Sequence, residues 1–365
     1  MIKIVHAADL HLDSAFSALS GEQAAMLRRE QRRIVEDIAA EAERISADLL
    51  LFSGDLFDSD RCFSETAEAL CRAFEQTRAR IFISPGNHDW YSANSPWTRM
   101  KLPENVHVFT SPAIEKVELP ELNCTVWGAA FISDSAAAPL EGFRVDNVGM
   151  NIMVLHGDVD FPDSKYGYIS TDNISASGLD YLALGHVHKF GGIQSAGDTF
   201  YAYPGCAMGR GFDETGEKGI LCGSVEKGRC DMRFLPLSGR RYEILHVDIS
   251  GCEDTAAAVK AALPENCGRD IYRVILGGER DEVPNVPALE RDLEGLCCRL
   301  EIRDATRPKV ELWAAAEENT LKGGFLRRMK VLYDAAQSED ERNRITKAVS
   351  YGLAALENRE GGGIA

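Results

Sequence analysis

Basic charge is in short supply in this chain: 40 Lys and Arg face 57 Asp and Glu, a formal net charge of −17 over 365 residues. That balance argues against a general electrostatic grip on nucleic acid, although bound divalent ions can invert the sign locally. Long apolar runs are also missing. None approaches the ~20 residues of a membrane-spanning helix, so no membrane partner is expected. The 10 cysteines include no C-x-x-C pair. Cys62, Cys71, Cys297 and Cys298 read as small core or helix residues, and reduced thiols in a cytoplasmic protein are expected rather than a disulfide framework. There is no G-x-x-x-x-G-K-[ST] loop, so any ATP dependence must come from another subunit. A strand-like run starts within a few residues of Met1, leaving no room for a cleavable signal peptide. No internal repeat is visible, and only Gly361 to Gly363 is low-complexity, an expected frayed end. The remainder, 45% hydrophobic and 27% charged, suits a globular protein with one large core and an appended module.

Histidine is scarce as well, at 8 residues, and its placement is informative. Asp9 and His11 stand two apart after the apolar run Ile2 to Val5. Asp55 follows Leu49 to Phe52, Asn87-His88-Asp89 follows Ile81 to Ile83, His156 ends Ile152 to Leu155, and His186 and His188 follow Tyr181 to Leu184. Short apolar runs closed by Gly, Asn, Asp or Pro read as buried strands, and polar residues at strand ends are where an α/β sheet builds a site. Two divalent metals roughly 3.5–4 Å apart need a bridging ligand with His, carboxylate or amide ligands on each side. Asp55 can bridge, Asp9, His11 and His188 can complete one metal, and Asn87, His156 and His186 the other. With no thiolate, this set suits Mn, Fe or Zn. His88 is left free beside the substrate with Asp89 next to it, and a free imidazole can protonate a leaving alkoxide. Asp58 fits a ligand or a turn cap equally well. His6, His107 and His246 read as structural.

These segments, D-x-H, G-D-x-x-D, G-N-H-D, H-G and G-H-x-H in this order, resemble the calcineurin-like metallophosphoesterases. Within that superfamily the chain is similar to DNA repair exonucleases of the SbcD type. Further likeness lies in Ala8 to Asp13, Leu182 to Lys189, Tyr203-Pro204-Gly205 and Gly211 to Gly219, and it covers residues 1–245 or so. The resemblance implies a four-layer α/β/β/α sandwich, which the residues also suggest. Helical periods at Gly21 to Ser46 and Ser64 to Thr77 alternate with strands, and short strands such as Thr125 to Phe131, Thr199 to Tyr203, Ile220 to Val225 and Cys230 to Pro236 follow. It implies a hydrolase acting on DNA ends, two divalent ions with Mn2+ foremost, and three partners: DNA, an SbcC-like coiled-coil ATPase and a second copy of the chain.

Three domains are expected. Residues 1–241 form the catalytic unit. Residues 242–316 form a small α/β cap, from strands at Tyr242 to Ile249, Ile271 to Leu276 and Arg299 to Arg303 and helices at Asp254 to Leu263 and Val286 to Leu296. Residues 317–365 form a helical tail. It carries the stripes Leu321, Phe325, Met329, Leu332 and Ile345, Val349, Leu353, Leu356, which pack internally or dock a partner. Most of the Lys and Arg between Lys189 and Arg241 read as a solvated face. Arg210, in the glycine-rich Gly205 to Gly211 loop, is a candidate phosphate holder. Beyond a DNA-cutting enzyme, the same metal core serves phosphatases or phosphodiesterases for nucleotides and small phosphoesters. A non-catalytic scaffold is disfavoured by the complete ligand set.

Overall fold

The computed structural model describes residues 1–17, 19–237, 239–280, 282–308 and 313–356; the glycines at 361–363 lie outside them. The chain divides into two compact units. One comprises Met1–Leu245, Pro264–Arg273 and Glu294–Glu301; the other comprises His246–Leu263, Val274–Leu293 and the residues from Ile302 onward.

The first unit holds two six-stranded sheets. Its strands are β1 (Ile2–Ala7), β2 (Leu49–Phe52), β3 (Arg80–Ile83), β4 (Val106–Val108), β5 (Glu115–Leu119), β6 (Cys124–Gly128), β7 (Met150–His156), β8 (Tyr181–Gly185), β9 (Gln194–Ala196), β10 (Thr199–Ala202), β11 (Gly219–Glu226) and β12 (Arg229–Pro236). One sheet runs β12-β11-β1-β2-β3-β4 and the other β5-β6-β7-β8-β10-β9. β1 to β4 are mutually parallel, as are β6, β7, β8 and β10, while the β11–β12 hairpin runs antiparallel onto β1. Parallel strands leave all their carboxyl ends on one side, which is where the site lies.

Alternation within the strands explains the layers. Val5, Leu50, Phe52, Ile81 and Ile83 face a core shared with the helices α1 (Gly21–Arg44) and α2 (Ser64–Glu75). Ile4, Leu49, Leu51 and Phe82 face the other way, into a core shared with Ile152, Val154, Tyr181 and Ala183 of the second sheet. Met153, Leu155, Leu182 and Leu184 then form a third core on the outer side of that sheet, with Ile174 of a helix after the short α3 (Pro96–Arg99), α4 (Thr171–Ser177). Helix, sheet, sheet, helix is the expected four-layer arrangement. Strands buried on both faces read as continuous apolar runs, as these do. α1 begins at Ser20, whose side chain accepts from the Gln23 N–H in a capping box.

The remaining elements are β13 (Tyr242–Asp248), α5 (Thr255–Ala262), β14 (Ile271–Gly277), β15 (Glu279–Arg280), α6 (Val286–Asp292), β16 (Arg299–Asp304), β17 (Arg307–Pro308), α7 (Leu321–Ala335) and α8 (Glu339–Leu356). β13, β14 and β16 form a third sheet in that order. α6 ends well before Leu296, and a left-handed Gly295 follows. In the second unit α7 and α8 pack on each other: Leu326, Phe325, Met329, Ile345, Val349 and Leu353 make one small core with Trp313 and Ala316. Leu321, Leu332 and Leu356, at the ends of the stripes, are exposed.

Candidate metal centre

Five loops leave the carboxyl ends of β1, β2, β3, β7 and β8 and converge. Close packing of these loops explains the glycines in the motifs. A Cβ on Gly86 would collide with Asp55 Oδ1, and one on Gly54 (φ +88°) with the His156 ring. Asp9, His11, Asp55 and His186 themselves have positive φ (52°, 44°, 51° and 106°). Non-glycine residues rarely adopt this backbone, and such strain clusters at functional sites.

Among the described residues, the side chains form three overlapping groups, one of them His11, Asp58 and His88. Ligand atoms of Asp9, His11 and His188 lie within 4.8 Å of one another, as do those of Asp9, Asp55 and His156. Asp55 Oδ2 sits between them, 3.7 Å from His11 Nε2 and 3.5 Å from His156 Nε2. Asn87 Oδ1 lies 3.0 Å from His156 Nε2 and 3.2 Å from His186 Nδ1. Every residue expected to hold metal is therefore drawn into one cluster. Asp9, His11, Asp55 and His156 are buried.

Three of the four histidines are hydrogen-bonded at the far nitrogen, which favours one tautomer. His156 Nδ1–H donates to the Ser53 carbonyl (2.9 Å), His11 Nδ1–H to Asp58 Oδ1 (3.1 Å) and His188 Nδ1–H to Glu214 Oε1 (2.7 Å). His186 Nε2 lies 3.3 Å from Asp158 Oδ2. The nitrogens facing the centre are consequently bare. His11 Nε2 and His188 Nε2 stand 3.2 Å apart, and His156 Nε2 faces carboxylate and amide oxygens. Lone pairs so placed repel unless a cation lies among them, so this donor set fits divalent metal.

The histidines divide electrostatically: burial would lower all four, but Asp55 and Asp9 raise His156, and the Glu214 hydrogen bond together with Asp9 raises His188. Burial pushes the Asp9 carboxyl up to about 6 and holds His11 and His186 down to about 4, favouring neutral imidazoles that can act as ligands. Burial would also raise Asp55, but the charges of His156, His11 and His88 outweigh it and keep its carboxyl below the usual range. Glu214 is likewise raised by burial yet held far down by hydrogen bonds from His188 and Arg210.

His88 is exposed beside the cluster, its ring 4.8 Å from that of His11. Its backbone N–H donates to Asp55 Oδ1 (2.9 Å) and its Nδ1–H to the Asp58 carbonyl (3.2 Å), leaving Nε2 available. Asp89, expected to share in catalysis, sits elsewhere. Its buried carboxylate accepts the N–H groups of Gly86, Leu56 and Phe57, tying the loop after β2 to the loop after β3. Burial, with the Asp55 charge nearby, pushes it up to about 7. Arg210, expected to hold a phosphate, has its guanidinium on Asp58 (2.9 Å) and Glu214 (2.8 Å). Asp58, Asp158 and Glu214 are the residues whose orienting role the motifs left unassigned. Asp158 stands two positions after His156, and Glu214 in the Gly211 to Gly219 motif, so position in the chain was the available signal. His6 is a buried core residue bonded to Ser53 Oγ (2.9 Å) and Tyr181 OH (3.0 Å).

Comparison with known proteins places this site in context. A model of the calcineurin-like phosphoesterase family matches residues 2–190. The uncharacterized metallophosphoesterase YhaO of Bacillus subtilis is 29% identical over 269 residues, 70% of this chain and 65% of that protein, so the chain spans just under two thirds of that relative. The SbcD component of the SbcCD nuclease of Staphylococcus epidermidis is 25% identical over 285 residues, 68% of this chain and 73% of that component. A crystal structure of TT1561 of Thermus thermophilus overlaps 62% of this chain and 99% of its own, at 12% identity and a TM-score of 0.38.

Proposed function

Because the chain belongs to the calcineurin-like phosphoesterase family, we propose that it hydrolyses DNA phosphodiester bonds at strand ends, as a metal-dependent nuclease in DNA repair. The observation that carries the hydrolytic reading is the set of ligand groups that share Asp9 and meet at the Asp55 carboxylate, with the exposed His88 ring alongside. Asp9, His11 and His188 would hold one ion, Asn87, His156 and His186 the other, with Asp55 between. Divalent metal bound there supplies Lewis-acid polarisation and a nucleophile at neutral pH; Mn2+ suits the N/O donor set, as do Fe and Zn.

The chain's own residues do the rest. Asp58, Glu214 and the Ser53 carbonyl fix three imidazole rings, with Asp158 beside the fourth, so that their inner nitrogens point at one place, which limits reorganisation when substrate binds. With its Nδ1–H on the Asp58 carbonyl, His88 acts as an imidazolium whose Nε2 proton passes to the leaving oxygen, leaving the ring neutral. Asp89 is a positioning residue: it fixes the Asn87-His88 turn against the Asp55 turn. Arg210 joins Asp58 to Glu214 and so steadies His11 and His188 together.

DNA as substrate rests on the likeness to the SbcCD nuclease, as does an SbcC-like coiled-coil ATPase partner. Hydrolysis of small phosphoesters by the same core is the competing reading, favoured by the exposure of His88 to any small ester. Release of nucleotides from linear duplex and single-stranded DNA with Mn2+, measured beside bis(4-nitrophenyl) phosphate and a phosphomonoester, separates them. Turnover of the small esters with intact DNA would refute the nuclease reading.

A further inference from the structure

A cavity of about 440 Å3 opens beside His188, its walls including Lys189, Phe190, Lys218 and Phe234. Building on the nuclease reading above, we infer that this cavity is the subsite for the nucleotide flanking the scissile phosphate, and that it takes the sugar-phosphate and base without reading sequence.

Size and place come first. The volume falls in the range of roughly 300–1,000 Å3 that small ligands occupy. His188 belongs both to the cavity wall and to the ligand cluster, and Glu214, also on that wall, accepts the His188 Nδ1–H. A group bound in the cavity therefore lies against His188, the same side chain that reaches the ligand cluster.

Charge comes second. Several basic side chains elsewhere in this unit are neutralised: Arg210 by Asp58 and Glu214, Arg240 by Glu30, Arg241 by Asp270 and Lys227 by Asp180. Lys189 and Lys218 form no ion pair among the described residues, even though Asp213 and Glu217 share their wall. In a chain of net charge −17, two ammonium groups left unpaired at the rim of a phosphoesterase site suit a phosphate of the substrate backbone, the contact that positions a strand without specifying it.

Shape comes third. The rings of Phe190 and Phe234 lie nearly parallel, 13° apart with centroids 5.0 Å apart, and both are half-buried. An aromatic surface beside basic side chains holds strands without sequence preference, because every base offers a π-face; here Phe190 and Phe234 stack on each other, and Lys189 and Lys218 share the wall with Asp213, Glu214 and Glu217. The arrangement also gives work to the Gly211 to Gly219 motif. Its Glu214 turns to His188, and its Lys218 lines the cavity.

The test is binding of a fluorescein-labelled short oligothymidylate to the full chain in metal-free buffer, followed by anisotropy across a salt series. Lys189→Ala with Lys218→Ala should weaken binding roughly tenfold and lower the log–log salt slope by about one per lysine. Phe190→Ala should weaken binding without changing the slope. If these variants bind with wild-type affinity and slope while the wild type binds well, the subsite is overturned and the nuclease reading stands. If the wild type binds no oligonucleotide and, with Mn2+, hydrolyses bis(4-nitrophenyl) phosphate but releases no nucleotide from single-stranded or duplex DNA, the nuclease reading falls and takes the subsite with it. Tighter binding of thymidine monophosphate than of the oligonucleotide would also overturn it, by making the cavity a pocket for a free nucleotide.

Discussion

His11 and His188 present their Nε2 atoms to each other across 3.2 Å while each donates its other ring N–H to a carboxylate, Asp58 for the first and Glu214 for the second. Arg210 then ties those two carboxylates together. The geometry makes sense around a cation, and it makes Glu214 a control point. Glu214→Ala should lower metal affinity by about 10- to 100-fold, the usual cost of removing a partner behind a ligating histidine. Titration with excess Mn2+ should restore turnover; failure to recover at saturating metal would remove Glu214 from this role.

Arg210 separates two ideas by the same measurement. As the tie between Asp58 and Glu214, its replacement in Arg210→Ala should raise the Mn2+ concentration needed for half-maximal rate and leave KM near the wild-type value once metal saturates. A phosphate-holding guanidinium would give the opposite pattern, with KM raised at every metal concentration.

Asp55 lies between the two ligand groups and also accepts the His88 N–H. Because its φ is +51°, Asp55→Asn is the right probe: Asn tolerates the left-handed region and keeps an oxygen but not the charge. The variant should remain folded, lose at least one metal by elemental analysis and drop more than about 100-fold in turnover. Two metals at full occupancy in that protein would refute a bridging Asp55. His88→Ala should do the reverse, keeping both metals and losing about 10²–10⁴-fold on a poor leaving group. The loss should be much smaller on a nitrophenyl ester, and equal losses on both would exclude proton donation.

The cluster itself was legible because its residues stand in order after strand-like runs, and the runs were legible because both faces of each strand are buried. Leu49 and Leu51 serve one core, Leu50 and Phe52 the other. The supporting residues were harder to see. Glu214 reaches His188 from 26 positions away and Asp58 reaches His11 from 47, and no local period encodes such pairings. Asp89 looked catalytic from its place beside His88, yet adjacent residues in a turn point apart, and its carboxylate is taken by three backbone N–H groups. The stripes of the C-terminal helices were readable as amphipathic, but periodicity cannot say which apolar residues find a neighbour in α7 and α8 and which remain in water.

Acid sensitivity should have one origin away from the metal ligands. Burial holds His6 down to about 3, so the native chain keeps it neutral while the unfolded chain protonates it near 6.5. A base depressed on folding contributes stability above the unfolded pKa and loses it as pH falls toward the folded one. Between pH 6.5 and 5 that loss is about 2 kcal/mol. His6→Gln, which can still bond Ser53 and Tyr181, should flatten the fall in unfolding free energy over this interval. An unchanged slope relative to wild type, at equal metal content, would show that His6 does not titrate as described.

The C-terminal helices offer a test of the partner. Leu326 and Val349 are buried in the core between α7 and α8, whereas Leu321, Val331, Leu332 and Tyr351 are exposed. An apolar surface that another protein covers must be contiguous, and Leu321 and Leu332, eleven positions apart on α7, fall on one side of that helix. If an SbcC-like ATPase docks there, Leu321→Ser with Leu332→Ser should abolish co-purification with that ATPase and any ATP-stimulated cutting of duplex DNA. Thermal unfolding and hydrolysis of simple phosphodiesters should stay as in the wild type, because neither side chain lies in the buried core. Leu326→Ala is the contrasting variant: truncating a buried leucine costs about 2–5 kcal/mol and should loosen the helix pair whether or not a partner exists. Undiminished ATPase capture by the serine double variant would place the docking surface elsewhere on the chain.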